Sequence, residues 1–289
     1  MATLPRSSAA YTAKLRLELC ERARDFSLHR NLICELSFGS SPVVAFAPQG
    51  DRHGNFFDPS YRAILAAPSW KRRLSKVHTS DALPRADRRW SELDSCNSSD
   101  ALLMNIFCCP ALWHDTRLAS LLGIQPSVPE FGFRARVPLL NGQQDRTEVD
   151  MRISDLFVEA KLTEADFQSK GKAYLERYRD FEKVFRRSEL PRSQDIYGGY
   201  QLIRNVLAAH AHEYSFCVML DARRPDLLEQ WYAVMRAIRI ADLRTRCKVL
   251  TWQELSEALP EPLRSFLDCK YGIRPGPLEP YTFEHQREL

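Results

Sequence analysis

The stretch "TEVDMRISDLFVEAKLTE", Thr147 to Glu164, constrains the fold more than any other part of the chain. Polar and apolar residues alternate in two short runs, 147–153 and 156–162, separated by Ser154-Asp155. Period-two alternation sends successive side chains to opposite faces of a strand, so the runs read as two strands of one hairpin. Ser-Asp is not the favoured two-residue turn. A turn there nevertheless sets Ile153 opposite Leu156, Asp150 opposite Glu159 and Glu148 opposite Lys161. One face then carries Glu148, Asp150, Glu159 and Lys161. The other carries Val149, Met151, Ile153, Val158 and Ala160 and can pack on a helix.

Opposed side chains on paired strands have Cβ atoms about 4.5–5.5 Å apart, so like charges there repel. Asp150 opposite Glu159 is unfavourable unless something positive lies between them. A hard divalent cation fits, because Mg²⁺ is held by one or two carboxylates with waters and substrate phosphate completing its shell. An ammonium at Lys161 can position an attacking water or offset charge developing on a phosphate. The arrangement suits metal-dependent phosphodiester hydrolysis. The same alternation also describes a solvated sheet face on which Lys161 pairs with a carboxylate for little net energy.

Around this hairpin the pattern is mixed. Residues 9–25 read as an amphipathic helix with Tyr11, Leu15, Leu17 and Leu19 among its apolar positions, and "PVVAFA" (42–47) as a short strand. "SSDALLMNIF" (98–107) is a helix start that Ser98 or Ser99 can cap, and a second short helix covers Trp113 to Leu122. "FGFRARVPLL" alternates as a strand. After the hairpin come a long charged helix over 169–187 and another from Tyr200 to His212. A buried strand follows at 213–221, then a helix at 225–238 opening on Pro225, a strand at 247–252 and short helices to Tyr271. Strands first in succession and then alternating with helices predict an α/β architecture, a mixed sheet flanked by helices. The domain reading is an N-terminal helical and irregular region over 1–128, a core over 129–275 and an extended tail over 276–289.

Composition narrows the class. The chain has 289 residues, enough for a sizeable core. No run approaches the ~18 apolar residues of a membrane span, and the N-terminus lacks the apolar stretch of a secretory signal, so a cytoplasmic protein is expected. The eight cysteines include no C-x-x-C pair and read as reduced core thiols. His210 and His212 are too close for one helix face. Net charge is only +4, but "WKRRLSKVHTSDALPRADRRW" (70–90) is strongly basic and bracketed by tryptophans, which suits a phosphate backbone or simply a solvated face. Walker, GxGxxG and HExxH motifs are absent, which removes nucleotide-driven, dinucleotide and zincin chemistry.

The segment "EVDMRI…LFVEAKL" resembles the PD-(D/E)XK nuclease superfamily, whose signature is an acid on one core strand and D/E-x-K on the next. Asp150 matches the first acid, Glu159 the second and Lys161 the lysine. Glu148-Val149 stands where the usual proline precedes the first acid. Some subgroups carry a functional Gln just inside a later helix, and "YGGYQLIRNVLAA" is similar to that element, with Gln201 the matching residue. "RHGNF" (52–56), "SSDALLMNIF" and "YQLIRNV" extend the likeness to bacterial proteins labelled restriction endonucleases. The resemblance implies a restriction-endonuclease-like core. It also implies a Mg²⁺-dependent endonuclease, with Mn²⁺ able to substitute, that cuts DNA and serves restriction or defence. Asp150 and Glu159 would bind metal, Lys161 would orient or activate water, and Gln201 would hold the site or touch nucleic acid. Glu148 and Glu164 are auxiliary acids on this reading, and Arg204 a phosphate contact. A homodimer would supply one site per strand. The alternative is a catalytically inactive nucleic-acid-binding protein on the same fold.

Overall fold

The computed structural model describes residues 8–37, 43–77 and 90–276. Its centre is a five-stranded mixed sheet built from β1 (Glu130–Arg134), β2 (Glu148–Ile153), β3 (Leu156–Ala160), β4 (Ser215–Leu220) and β5 (Cys247–Thr251), in the spatial order β5-β4-β3-β2-β1. β1, β2 and β3 form an antiparallel meander, whereas β4 runs parallel to both β3 and β5. The parallel connections each pass through a helix, α3 (Tyr200–His212) before β4 and α4 (Pro225–Met235) before β5.

Helices cover both faces of the sheet. Leu202, Ile203 and Val206 of α3 and Trp231 of α4 join Phe157, Phe216 and Val218 in one core layer. On the other face Val158, Ala160 and Met219 join side chains of α1 (Ser8–Arg30), α2 (Ser99–Phe107), α5 (Trp252–Glu257) and α6 (Glu261–Tyr271). Every residue of β3 is buried, as a central strand covered on both sides requires. This is a mixed α/β fold. Among the described residues no helix is long and apolar enough to cross a membrane.

The hairpin register follows the sequence pattern from the turn as far as Met151. Ile153 pairs with Leu156 and Met151 with Val158, and the turn is accommodated by a left-handed Ser154 (φ 52°). Beyond Met151 the β2–β3 ladder stops. Val149 lies in the core layer of Phe157, while Met151 and Ile153 lie in the opposite one. The expectation that these three share a face, and that Glu148 faces Lys161, is therefore corrected. The change coincides with an irregularity on β1. Gly132, with φ +65°, sits level with Asp150 between the pairs Phe131–Met151 and Phe133–Val149. A left-handed residue there turns the strand over.

Other elements depart from the pattern for identifiable reasons. The expected helix over 169–187 is a short strand, Ser169–Gly171, then two single turns, Lys172–Leu175 and Phe181–Val184. Its apolar spacing is real, since Leu175, Tyr178, Phe181 and Val184 are all buried. Bridges from Tyr178 to Leu139 and from Phe185 to Ile238 interrupt the helix and wrap it over α3's layer. α1 runs five residues past its expected end, and Leu17, expected on its apolar side, is 65% exposed. Buried Leu15 and Leu19 define the helix face instead. The second short helix starts at Thr116, where Asp115 accepts from the backbone of Arg117 and Leu118. Cys269 is exposed and Cys20 and Cys34 are half-buried, so the cysteines are not uniformly core thiols.

The basic stretch at 70–90 is partly structural. Trp70 is buried and donates to the Pro129 carbonyl, and Arg73 and Lys76 are consumed in ion pairs with Glu92, Asp100 and Glu148. Arg85, Arg88 and Arg89 fall outside the described residues.

A Cβ at Gly132 would lie 2.3 Å from Arg73 Nη1 and 2.8 Å from Glu148 Oε2. Gly132→Ala combines that clash with a left-handed backbone costing about 1–2 kcal/mol. Chemical denaturation should therefore show at least that loss of stability. An unchanged midpoint would mean that the pleat reversal does not depend on glycine.

Candidate functional site

The site forms where β2 and β3 part company. Asp150 does not continue the ladder. Its Oδ2 accepts the Ala160 backbone N–H at 2.8 Å, taking the place of a strand carbonyl. Glu159, on the same sheet face as Phe157, points toward α3 and is 1% exposed. One of its oxygens accepts from Lys161 Nζ at 2.7 Å and the other from Asn205 Nδ2 at 2.7 Å. Lys161 is itself 4% exposed, with its ammonium 5.5 Å from the Phe167 ring centroid.

The backbone around Lys161 is pinned from several sides. Its N–H donates to Met219 O of β4, and its carbonyl accepts from Trp252 Nε1 at the start of α5. The following loop is held by Arg224, whose guanidinium reaches the carbonyls of Leu162, Glu164 and Ala165 while paired with Asp226. Glu164 accepts from Leu162 N and from Ser99 Oγ at the start of α2. Ser99 stands there because Ser98 caps α2, accepting from Ala101 N.

α3 enters the same region through an irregular start. Gly199 is left-handed, and the first helical N–H groups of Tyr200 and Gln201 donate to Gln168 O and Phe167 O. Gln201 and Asn205 are one turn apart and share a helix face. Gln201 Oε1 is buried and has no hydrogen-bond partner. A buried acceptor left unmatched is costly and invites a donor or a cation.

Asp150, Glu159 and Lys161 thus converge at the end of β3, where Asn205 of α3 reaches Glu159 and Gln201 lies one turn earlier on the same helix face. Glu164 borders the group, and Glu148 is drawn away to Arg73 at 3.1 Å and Arg134 at 3.7 Å. Arg204 is not a free phosphate contact. It is buried, donating to Glu148 O and to Asn205 Oδ1, which orients Asn205 toward Glu159. Asn105 satisfies backbone groups, accepting from Phe57 N and donating to Asn55 O.

Three contributors were not singled out by the sequence pattern. Asn205 had a usable signal, four residues after Gln201. Asp100 and Arg73 had none, because their proximity to β2 depends on how the N-terminal part of the chain packs. Asp100 is 5% exposed and bound by Arg73 and Lys76.

The electrostatics are unbalanced. Burial, the Glu159 charge and the Asp100 charge, in that order, push the Asp150 carboxyl well above the usual carboxylate range. Burial pulls on Lys161 in the opposite sense, but Glu159, Glu164 and Asp150 overcome it and hold the ammonium above the ordinary lysine value. Among the described residues no three His, Cys, Asp or Glu side chains form a group that could hold a metal by themselves. The carboxylate oxygens a cation could share are those of Asp150 and Glu159, of which Asp150 Oδ2 and both of Glu159 already accept hydrogen bonds, with the orphaned Gln201 Oε1 on the helix face that carries Asn205. That set fits a hard cation that keeps several waters.

Residues 31–272 match the family described as "Restriction Endonuclease associating with ARP". The chain belongs to this family. No curated protein and no solved structure matches it. The REase-ARP match takes in the whole sheet and the site, together with α2 and the ion pairs of Arg73 and Lys76.

A raised carboxyl pKa means that the ionised form is the disfavoured one in the fold. Its contribution to stability is full below the unfolded value, about 3.9, and is lost as pH rises toward the folded value. Asp150→Asn keeps an acceptor for Ala160 N–H and removes the charge. In chelator at neutral pH it should melt higher than the parent protein and lose stability less steeply as pH rises. A lower melting temperature for the variant would refute the charge conflict.

Proposed function

We propose that the protein is a metal-dependent endodeoxyribonuclease with a PD-(D/E)XK-type site on a restriction-endonuclease-like core over residues 129–275, serving restriction or defence in the cytoplasm. The observation that carries this reading is the meeting of half-buried Asp150 with buried Glu159 and Lys161 where the hairpin splits. A solvated charge face is disfavoured, because Glu159 and Lys161 are nearly inaccessible. Membership of a restriction-endonuclease family supports nucleic acid as the substrate.

On this reading Asp150 and Glu159 hold Mg²⁺, or Mn²⁺ in its place. The bound cation supplies a Lewis acid at the scissile phosphate and a water of lowered pKa. Asp150 gives up its proton as the site fills. Lys161, whose ammonium is kept charged by its acidic neighbours, is unsuited to accept a proton near neutral pH. It acts by charge, donating toward the attacking water or the developing phosphorane oxygens. Asn205 fixes the Glu159 carboxylate from the side opposite Lys161, so that one orientation is presented. Gln201 offers its unmatched oxygen to a site water. A homodimer would bring one such site to each strand of a duplex.

One observation favours the second reading, an inactive binder: Lys161 is closed onto Glu159 at 2.7 Å. The test separates the two. Supercoiled plasmid should be nicked in Mg²⁺ or Mn²⁺ and not in EDTA. Asp150→Ala and Lys161→Ala should each lower the rate by about 10²-fold or more. Gln201→Ala should lower it by roughly 10-fold to 100-fold, as for a residue supporting a metal site. Plasmid retention without nicking would favour the binder. Equal nicking in all four proteins would contradict the assigned site.

A further inference from the structure

A second cluster of chemically active side chains lies away from the sheet face of Lys161, between α1, α6 and the segment leading into α2. Cys20 of α1 and Cys96 have Sγ atoms 3.9 Å apart, although 76 residues separate them in sequence. Cys96 is 1% exposed and is held by its own N–H donating to Val44 O. Cys20 is half-buried. Lys270, from α6, buries its ammonium beside them and is itself 1% exposed.

The surroundings of that ammonium are unusual. It donates to Asn55 Oδ1 at 2.8 Å and lies over the rings of Phe46 at 4.6 Å and Tyr271 at 4.9 Å. The ionisable groups that bear on it are Cys96, Cys20 and Cys34, all thiols. An ammonium taken out of water needs a compensating charge. Among the described residues the ionisable groups placed to provide it are thiols. Consistently, burial pulls Lys270 down to about 8, and the hydrogen bond from Cys96, then the Val44 backbone and the Arg24 and Lys270 charges, bring Cys20 down to about 6 against its burial.

We propose that Cys20 and Cys96 form a peroxide-sensitive thiol pair that is converted to a reversible intramolecular disulfide, with Lys270 as the buried cation beside the attacking thiolate. The Cys20 thiolate attacks one oxygen of hydrogen peroxide. An S–O bond forms, the O–O bond breaks and hydroxide leaves. Cys96 then attacks the sulfenic sulfur, the S–S bond forms, the S–O bond breaks, and the departing hydroxide takes the Cys96 proton as water. Two thiols and one peroxide become one disulfide and two waters. Closure requires the sulfurs to approach from 3.9 Å to about 2.05 Å. The product would tie α1 to the segment that ends three residues later in Ser99, the partner of Glu164.

The test is peroxide treatment of the full native chain at pH 6, followed by alkylation and non-reducing peptide mapping. With its pKa brought down to about 6, Cys20 should be substantially ionised at that pH, against roughly 0.3% of an ordinary thiol of pKa ~8.5. The lower nucleophilicity of the more acidic thiol takes back about tenfold, leaving a roughly tenfold faster reaction than at exposed Cys269. A Cys20–Cys96 peptide that disappears on adding a dithiol reductant is the expected result. Cys96→Ser should stall at the sulfenic acid, trapped by a cyclic diketone at Cys20. Lys270→Met should slow Cys20 and leave Cys269 unchanged. Oxidation of Cys20 to sulfinic acid without a cross-link, a cross-link to Cys34 instead, or equal rates at Cys20 and Cys269 would each overturn the proposal. The wild-type map decides the matter even if a variant fails to fold.

Discussion

The ion pair between Glu159 and Lys161 is the interaction on which the rest of the site depends. Both charges are buried at the end of a central strand, where desolvation can exceed the attraction between them. Such a pair persists only if its remaining hydrogen-bonding capacity is met. Asn205 meets the second Glu159 oxygen, Arg204 orients Asn205, and Met219 and Trp252 fix the Lys161 backbone. A core this constrained is a poor way to gain stability and a good way to hold charged groups in one geometry. Asp150 adds a second carboxyl that the pair does not neutralise, and the imbalance has the sign that a divalent cation would correct.

The fold supplies the geometry through a local fault in an otherwise regular sheet. If β2 kept its alternation, Asp150 would be one more strand residue with its backbone in the ladder. Gly132 lets the neighbouring strand turn over, the ladder opens, and the Asp150 carboxylate replaces a carbonyl as acceptor for Ala160. The opening is filled from the N-terminal part of the chain, where Arg73 spans Asp100 and Glu148. The site is therefore shared between the sheet and elements far from it in sequence.

Much of this was legible before any coordinates. The hairpin register, the α3 limits at Tyr200 and His212 and the Ser98 cap all rest on local rules of alternation, helix periodicity and capping. The convergence of Asp150, Glu159 and Lys161 follows from the hairpin, and Gln201 came from family resemblance. What was not legible was non-local. The helical spacing of Leu175, Tyr178 and Phe181 is the same whether the chain forms one helix or separate turns, and isolated bridges to Leu139 and Ile238, far off in sequence, decided for turns. The burial of Arg204 was unreadable for the same reason, because its partner is the Glu148 carbonyl on another element. A glycine at 132 is visible in the sequence, but its left-handed conformation is not.

The central claim is that Asp150 and Glu159 together accept a divalent cation, and calorimetric titration of Mg²⁺ tests it most directly. Wild type should bind with release of a proton, seen as a heat that changes with the ionisation enthalpy of the buffer, because Asp150 must ionise as the cation enters. Asp150→Ala should abolish that binding while leaving the fold intact. Absence of binding to wild type, or binding that survives in the variant unchanged, would contradict the account.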